Sequence, residues 1–201
     1  MARMVLGVFQ QSATSLEAVV SIRPATKGRS PIDASRNLWL FGGSQSGGLV
    51  NDLWKYGNGE WTWMAGPSKP FVAGVCGTNG APAAGNTPEA RQAAVSWTDS
   101  SGNFWLFGGN GLDAVGNEGV LSDLWKYSNG QWAWISGSNL INQNGNDGTR
   151  GGMLAPGNVL GGRLLMGGWE DANGNFWLFG GYGYPAIGTE GDLNDLWMYM
   201  P

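Results

Sequence analysis

The chain has 201 residues with 11 Lys+Arg against 15 Asp+Glu and no basic run of the kind that tracks phosphates, which argues against nucleic acid as a partner. It contains no histidine, which removes His-based triads and most zinc and type-2 copper sites, and its one cysteine, Cys76, permits no internal disulfide. No apolar run reaches the ~18 residues of a membrane span, the 36 glycines follow no three-residue period as collagen would, and twelve tryptophans are not the composition of a disordered chain.

Residues 1–36 do not match the remainder of the chain. Met4 to Phe9 is a short apolar patch, below the about 7–15 residues of a secretory core, so Met1 to Gln10 makes a poor signal peptide. Thr14-Ser15-Leu16-Glu17 has the spacing of a helix capping box, whereas Ala18 to Ile22 prefers a strand, and both readings stand. Pro24 to Arg36 is polar and turn-rich, a connection or a degraded repeat segment.

From Asn37 the pattern is regular. Trp39-Leu40-Phe41-Gly42-Gly43 recurs at Trp105 to Gly109 and again at Trp177 to Gly181, spaced by 66 and then 72 residues. Three large apolar residues before two glycines predict a buried strand that ends in a turn, where the glycines take positive φ or let another backbone pass close. A second recurring strand is predicted at Asp52-Leu53-Trp54-Lys55-Tyr56, Asp123 to Tyr127 and Asp195 to Tyr199. After the turns Gly57 to Gly59 and Ser128 to Gly130, Trp61-Thr62-Trp63 and Trp132-Ala133-Trp134 place two indoles on one face of a further strand. Arg91 to Trp97 and Arg163 to Trp169 predict a strand ahead of the repeated stretch, joined to it by the turns 98–103 and 170–175. The aligned positions in the first copy hold Ala25 and Pro31. All twelve tryptophans fall on repeat positions, which predicts that they fill space between repeats rather than bind a ligand.

Four antiparallel strands per repeat with hairpin turns predict the blade of a β-propeller. The combination Arg-x5-Trp-x-Asp, Asn-x-Trp-Leu-Phe-Gly-Gly and Asn-Asp-Leu-Trp-x-Tyr resembles the long kelch repeats of bacterial and algal proteins over about residues 37–201. The resemblance implies an all-β fold of kelch-type blades, of which complete propellers have about five to seven. The chain supplies about two and a half: 37–64 as a partial blade, 91–135 as a full one, and 163–199 lacking its last strand, with 1–36 outside the repeat. Such an arc leaves apolar faces open. A fragment of a longer propeller, a homo-oligomer that completes the ring, and an open arc capped by the N-terminal segment all fit. Low lysine content and Gly/Asn-rich loops also resemble secreted bacterial kelch proteins, which favours an extracellular location.

In a four-stranded meander the first and third turns leave one end and the second turns and connections leave the other. Here the former are short, whereas 44–50, 65–88, 110–121, 136–160 and 182–193 are long, which predicts one elaborated face where binding resides. Its candidate residues are Asn110, Asp113, Glu118, Arg150, Tyr182, Tyr184, Glu190 and Asp192, with Tyr182 and Tyr184 the best placed for stacking on a glycan. An acid pair such as Glu118 with Glu190 has the groups for glycosidase chemistry, yet nothing in the sequence fixes their separation. No catalytic, metal or cofactor residue is assigned. The turns Asp99 to Asn103 and Asp171 to Asn175 lack the further ligands of a calcium loop and read as hairpin turns. Asp52, Asp123 and Asp195 are expected to satisfy loop N–H groups, and Arg91 and Arg163 to bond between strands or blades. Kelch enzymes with copper need histidine ligands absent here, so the expectation is a non-catalytic module that binds a protein or a surface glycan. A fragment of a carbohydrate-active enzyme, or a truncated gene product, is the alternative.

Overall fold

The structure, a computed structural model, describes residues 31–148 and 157–201. Every regular element among them is a β-strand, and the strands form three antiparallel sheets. Sheet one is β1 (Leu38–Gln45), β2 (Gly48–Gly57) and β3 (Glu60–Ala65), paired in that order. Sheet two holds β4 (Arg91–Gln92), β5 (Val95–Thr98), β6 (Phe104–Leu112), β7 (Glu118–Ser128) and β8 (Gln131–Ser136). Both β4 and β5 pair with one edge of β6, then β7 and β8 come next. Sheet three repeats this plan with β9 (Arg163–Leu164), β10 (Gly167–Glu170), β11 (Phe176–Gly183) and β12 (Gly191–Tyr199), and has no counterpart of β8 among the described residues.

The glycine pair does not end its strand, as the sequence suggested. It bends it. Register shifts between Phe41 and Gly43, Phe107 and Gly109, and Phe179 and Gly181, and the strands then run on to Gln45, Leu112 and Gly183. The first glycine of each pair has φ of +63°, +65° or +63°, a left-handed conformation that costs a side-chain-bearing residue about 1–2 kcal/mol. A Cβ on Gly108 would also lie 2.6 Å from the Arg163 carbonyl oxygen, in the next sheet. On the opposing side the expected strands Arg91 to Trp97 and Arg163 to Trp169 are each split in two, at Ala93 (φ 56°) and Leu165 (φ 59°). Break and bulge sit opposite each other, so both strands bend together and keep pairing past the kink. The expected loops 44–50, 110–121 and 182–193 therefore shrink to hairpin tips at 46–47, 113–117 and 184–190.

A buried ion pair braces the bends of sheets two and three. Arg91, fully buried on β4, reaches across β6 to Asp123 on β7, with Nη2 donating to Oδ2 at 2.7 Å and Nη1 pairing with Oδ1. Arg91 Nη1 also donates to the Gly108 carbonyl (3.2 Å), at the bulge itself, and Nε donates to the Glu89 carbonyl (3.0 Å). Arg163 repeats this with Asp195 (2.8 and 3.1 Å) and the Gly180 carbonyl (3.4 Å). In all three sheets the same Asp accepts from the indole two residues on, Trp54, Trp125 or Trp197, at 2.6 Å. Asp123 and Asp195 thus serve a guanidinium and an indole, and Asp52 an indole, rather than the loop N–H groups the sequence suggested.

The sheets stack face to face. Trp39 and Leu53 of sheet one meet Phe104, Leu106, Trp125, Tyr127 and Trp132 of sheet two. Its other face, with Trp97, Trp105, Phe107 and Leu124, meets Phe176, Leu178, Trp197 and Tyr199 of sheet three. Trp132, 1% exposed, packs 5.4 Å from Phe41 and 5.2 Å from Tyr127. Burying a large aromatic removes ~150–250 Å² from water, roughly 4–6 kcal/mol at ~25 cal/mol per Å², several times what any ring–ring geometry adds. The first sheet also starts earlier than residue 37: Ile32 bridges Leu38 and the Pro31 carbonyl accepts from Trp39 N–H, so 31–36 belong with the repeat.

Gly108→Ala is expected to destabilise the chain by more than about 1 kcal/mol beyond Gly102→Ala, since both have positive φ but only Gly108 faces a backbone oxygen; urea unfolding measures the difference. Arg91→Met leaves two buried carboxylates unpaired and is expected to cost ~3–5 kcal/mol. In the same assay Arg163→Met costs less, because the Asp195 side chain is 32% exposed.

Candidate functional site

The three hairpin tips meet the inter-sheet connections, 66–90 and the described parts of the second, 137–148 and 157–162, on one side of the stack. Phe71 N–H donates to the Leu49 carbonyl, and Asn142 N–H donates to the Val120 carbonyl in the same way 71 residues later. Asn142 Oδ1 accepts from Val120 N–H (2.9 Å), and Ala114 N–H donates to the Asn139 carbonyl. Asn144 Nδ2 donates to the Pro185 carbonyl (2.7 Å) and Tyr184 N–H to the Gly162 carbonyl. Each tip is thus pinned by backbone bonds to a connection, and the connections are themselves folded. Val75 pairs with Thr87, and Asn146 with Val159. The segment 79–86 lies along the outer edge of β8, with Gly80 and Ala83 N–H donating to the Trp134 and Trp132 carbonyls.

The candidate residues divide among three places. Tyr182, Tyr184, Glu190 and Asp192 come together at the tip of β11–β12, where Tyr182 faces Asp192 across the ladder. Interaction with the Glu190 carboxylate, and next burial, raises the Tyr184 phenol above the ordinary tyrosine range. Asn110 and Glu118 pair with each other at the second hairpin, Nδ2 to Oε1 at 3.1 Å. Asp113 is 2% exposed, and its Oδ1 accepts from Val115 N–H (3.1 Å) and Asn117 N–H (2.8 Å). Burial works to raise its carboxyl, but these bonds outweigh it and hold the group below the usual range. Asp113 therefore shapes the second tip and does not present its carboxylate to a partner. Arg150 lies outside the described residues.

Apolar tip residues are what the sequence reading passed over. Ile187 (91% exposed), Val115, Phe71 and Leu140 project from the same tips and connections. The signal for them was present: single large apolar residues between turn formers, where no strand needs them.

The opposite side is built from one repeated turn. Asp99 Oδ1 accepts from Ser101 N–H and Asn103 N–H, while its Oδ2 accepts from Asn103 Nδ2 (2.8 Å) and Trp105 Nε1 (3.0 Å). Asp171 does the same with Asn173, Asn175 and Trp177, and Asp33 with Ser35, Asn37 and Trp39. Lys55 and Lys126 then sit over the Trp39 and Trp105 rings, 4.9 and 4.8 Å from the centroids. These carboxylates spend their lone pairs on N–H donors, which leaves no calcium cage in either turn, and no group of three His, Cys, Asp or Glu side chains arranged for a metal occurs among the described residues. Asp33-x3-Asn37-x-Trp39 was readable in the sequence as the first copy of this turn.

A buried acid cluster stands apart from both sides. Glu89 contacts Arg91 Nη2 (3.2 Å) and accepts from Cys76 Sγ (3.2 Å). Burial, then the Glu89 carboxylate beside it, pushes the Cys76 thiol up to about 12, so it stays protonated and serves as a hydrogen-bond donor.

No family model matches the chain. C-type lectin domain family 4 member F of Mus musculus is 30% identical over 96 residues, which cover 47% of this chain and 15% of the length of that protein. A solved structure described as "Structure of YjhT" aligns with 76% of this chain and 33% of its own, at 18% identity and a TM-score of 0.45.

The turn carboxyls set the acid limit of stability. The Trp177 indole, then Asn175, hold Asp171 at about 2 against an ordinary value of 3.8. Burial pulls Asp33 and Asp99 upward, but their N–H donors outweigh it and keep both below the usual range. A depressed folded-state pKa contributes stability above the unfolded value that is lost as pH falls through the folded one. The melting temperature is expected to drop between about pH 4 and pH 2. Asp171→Asn is expected to lower it at pH 6, with the gap closing toward pH 2, as calorimetry across that range will show.

Proposed function

We propose that the three sheets are blades of an incomplete kelch-type β-propeller, and that the chain is a non-catalytic binding module whose loop side takes a glycan or a protein surface. The repeated Gly-Gly, Asp-Leu-Trp-x-Tyr and Trp-x-Trp stretches, the four-layer strand order of sheet two and the face-to-face stacking support the blade reading. One observation carries the binding reading: hairpin tips from all three sheets are locked to the connections on one side, and the tip of β11–β12 gathers Tyr182, Tyr184, Glu190 and Asp192. Aromatic rings offer a flat apolar surface to the C–H face of a sugar, and adjoining carboxylates accept from its hydroxyls. Binding sites of this type combine an apolar platform with a few convergent polar groups. The 96-residue likeness to a protein whose name designates a lectin domain adds support for a glycan. Exposed Ile187 and Val115 beside the same tips give a protein surface the apolar contact it needs.

Glu118 is held by Asn110 on the second hairpin and Glu190 interacts with Tyr184 on the third, so each carboxylate has a local partner. A glycan array followed by titration of the retained glycan tests the reading. Tyr184→Ala or Asp192→Asn is expected to weaken binding at least about tenfold, which is ~1.4 kcal/mol, while Asn110→Ala changes it little. Hydrolase turnover that disappears in Glu118→Gln or Glu190→Gln would replace this reading with an enzymatic one.

A further inference from the structure

Large exposed apolar side chains on the sheets concentrate on the two outermost faces of the stack. Sheet one presents Trp61 (45% exposed) and Trp63, alongside Leu38, Leu40, Trp54 and Tyr56. Sheet three presents Phe179 (49% exposed), Trp169 and Leu196, alongside Trp177. These are two different surfaces, and the chain already shows what each one packs against.

At the first junction the face of sheet one carrying Trp39, Phe41 and Leu53 meets the face of sheet two carrying Phe104, Trp125, Tyr127 and Trp132. At the second, Trp105, Phe107 and Leu124 meet Phe176, Trp197 and Tyr199. The aligned residues of the first kind of face are Trp177, Phe179 and Leu196, which sheet three leaves open. Those of the second kind are Leu38, Trp54, Tyr56 and Trp61, which sheet one leaves open. The ring contacts recur between junctions: Trp39 lies 6.2 Å from Tyr127, and Trp105 lies 5.6 Å from Tyr199. One end of the molecule therefore carries the partner surface for the other.

We infer that the occupant of each open face is the opposite face of a second copy of this chain. The pairing sets Trp177 of one copy against Tyr56 of the other, and Phe179 against Trp61, as Phe41 packs against Trp132 within the chain. A contact between unlike faces closes into a ring or grows into a filament. Under the blade reading above, on which this step rests, rings hold about four to eight blades. Copies that bring three sheets each meet that range only as a pair, six blades around a two-fold axis. Both junctions of the pair are then alike, and no apolar end face remains.

The test is molar mass by light scattering on the 201-residue chain. The wild type is expected at twice the mass of the chain. Phe179→Asp and Trp61→Asp, each at an exposed position, are each expected to run as monomers with unchanged circular dichroism. Leu196→Asp, on the same face as Phe179, serves as a second variant should Phe179→Asp not fold. Mixed in equal amounts, the two single variants are expected to recover the two-copy mass, because each still supplies the surface the other needs. A monomeric wild type overturns the inference. So does a larger assembly, or a Trp61→Asp variant that still pairs through like faces. Tyr184→Ala leaves the mass unchanged, so loss of glycan binding and loss of pairing are read separately.

Discussion

The buried guanidinium–carboxylate bridge between Arg91 and Asp123, repeated by Arg163 and Asp195, is the constraint on which the second and third sheets depend. A strand that bends at a glycine pair gives up regular ladder hydrogen bonds at the bulge, and buried carbonyls without partners are costly. The arginine reaches over the central strand, caps the glycine carbonyl and ends on an aspartate one strand further out. Three strands are thereby held at the one point where the ladder is irregular. Two charges removed from water repay that cost only when their remaining donors and acceptors are satisfied, and here the backbone carbonyls and an indole N–H do so.

That brace decides which residues can be large. With the bend fixed, the first glycine of each of the first two pairs lies against the arginine carbonyl of the next sheet, and the sheets approach closely at that edge. Tryptophans pack between the sheets. Trp132, Trp125 and Trp105 contribute through burial more than through any single ring contact. The Asp–Asn–Trp turns on the far side hold the indoles of Trp39, Trp105 and Trp177 in place, one in each repeat.

On the other side the hairpins project past the bend, and backbone bonds tie their tips to the inter-sheet connections. Rigid tips of unequal length and composition are the part of the molecule free to differ between repeats. The second tip closes on buried Asp113, whereas the third is longer and opens with two tyrosines and two carboxylates. The proposed binding surface rests on that difference, and the proposed pairing of copies rests on the sameness of the faces beneath it.

Much of this was legible in the residues. The triplicated Trp-Leu-Phe-Gly-Gly announced a repeated all-β architecture, the period-two indoles gave the buried faces, and turn chemistry located the hairpins, because all of these are short-range consequences of side-chain size and backbone preference. Other features need the folded chain. Gly108 reads locally as the end of a strand, but it is a bend whose carbonyl is capped by an arginine seventeen residues earlier. Asp113 reads as an exposed loop acid, but its carboxylate is spent on its own tip. Asp123 reads as a loop cap and is half of an ion pair with a residue 32 positions away. Sequence alone determined the repeat, the strands and the faces, which are local. The tertiary structure decided which polar groups brace the fold and which remain to meet a partner, since that depends on what lies within about 3 Å of each carboxylate rather than on its neighbours in the chain.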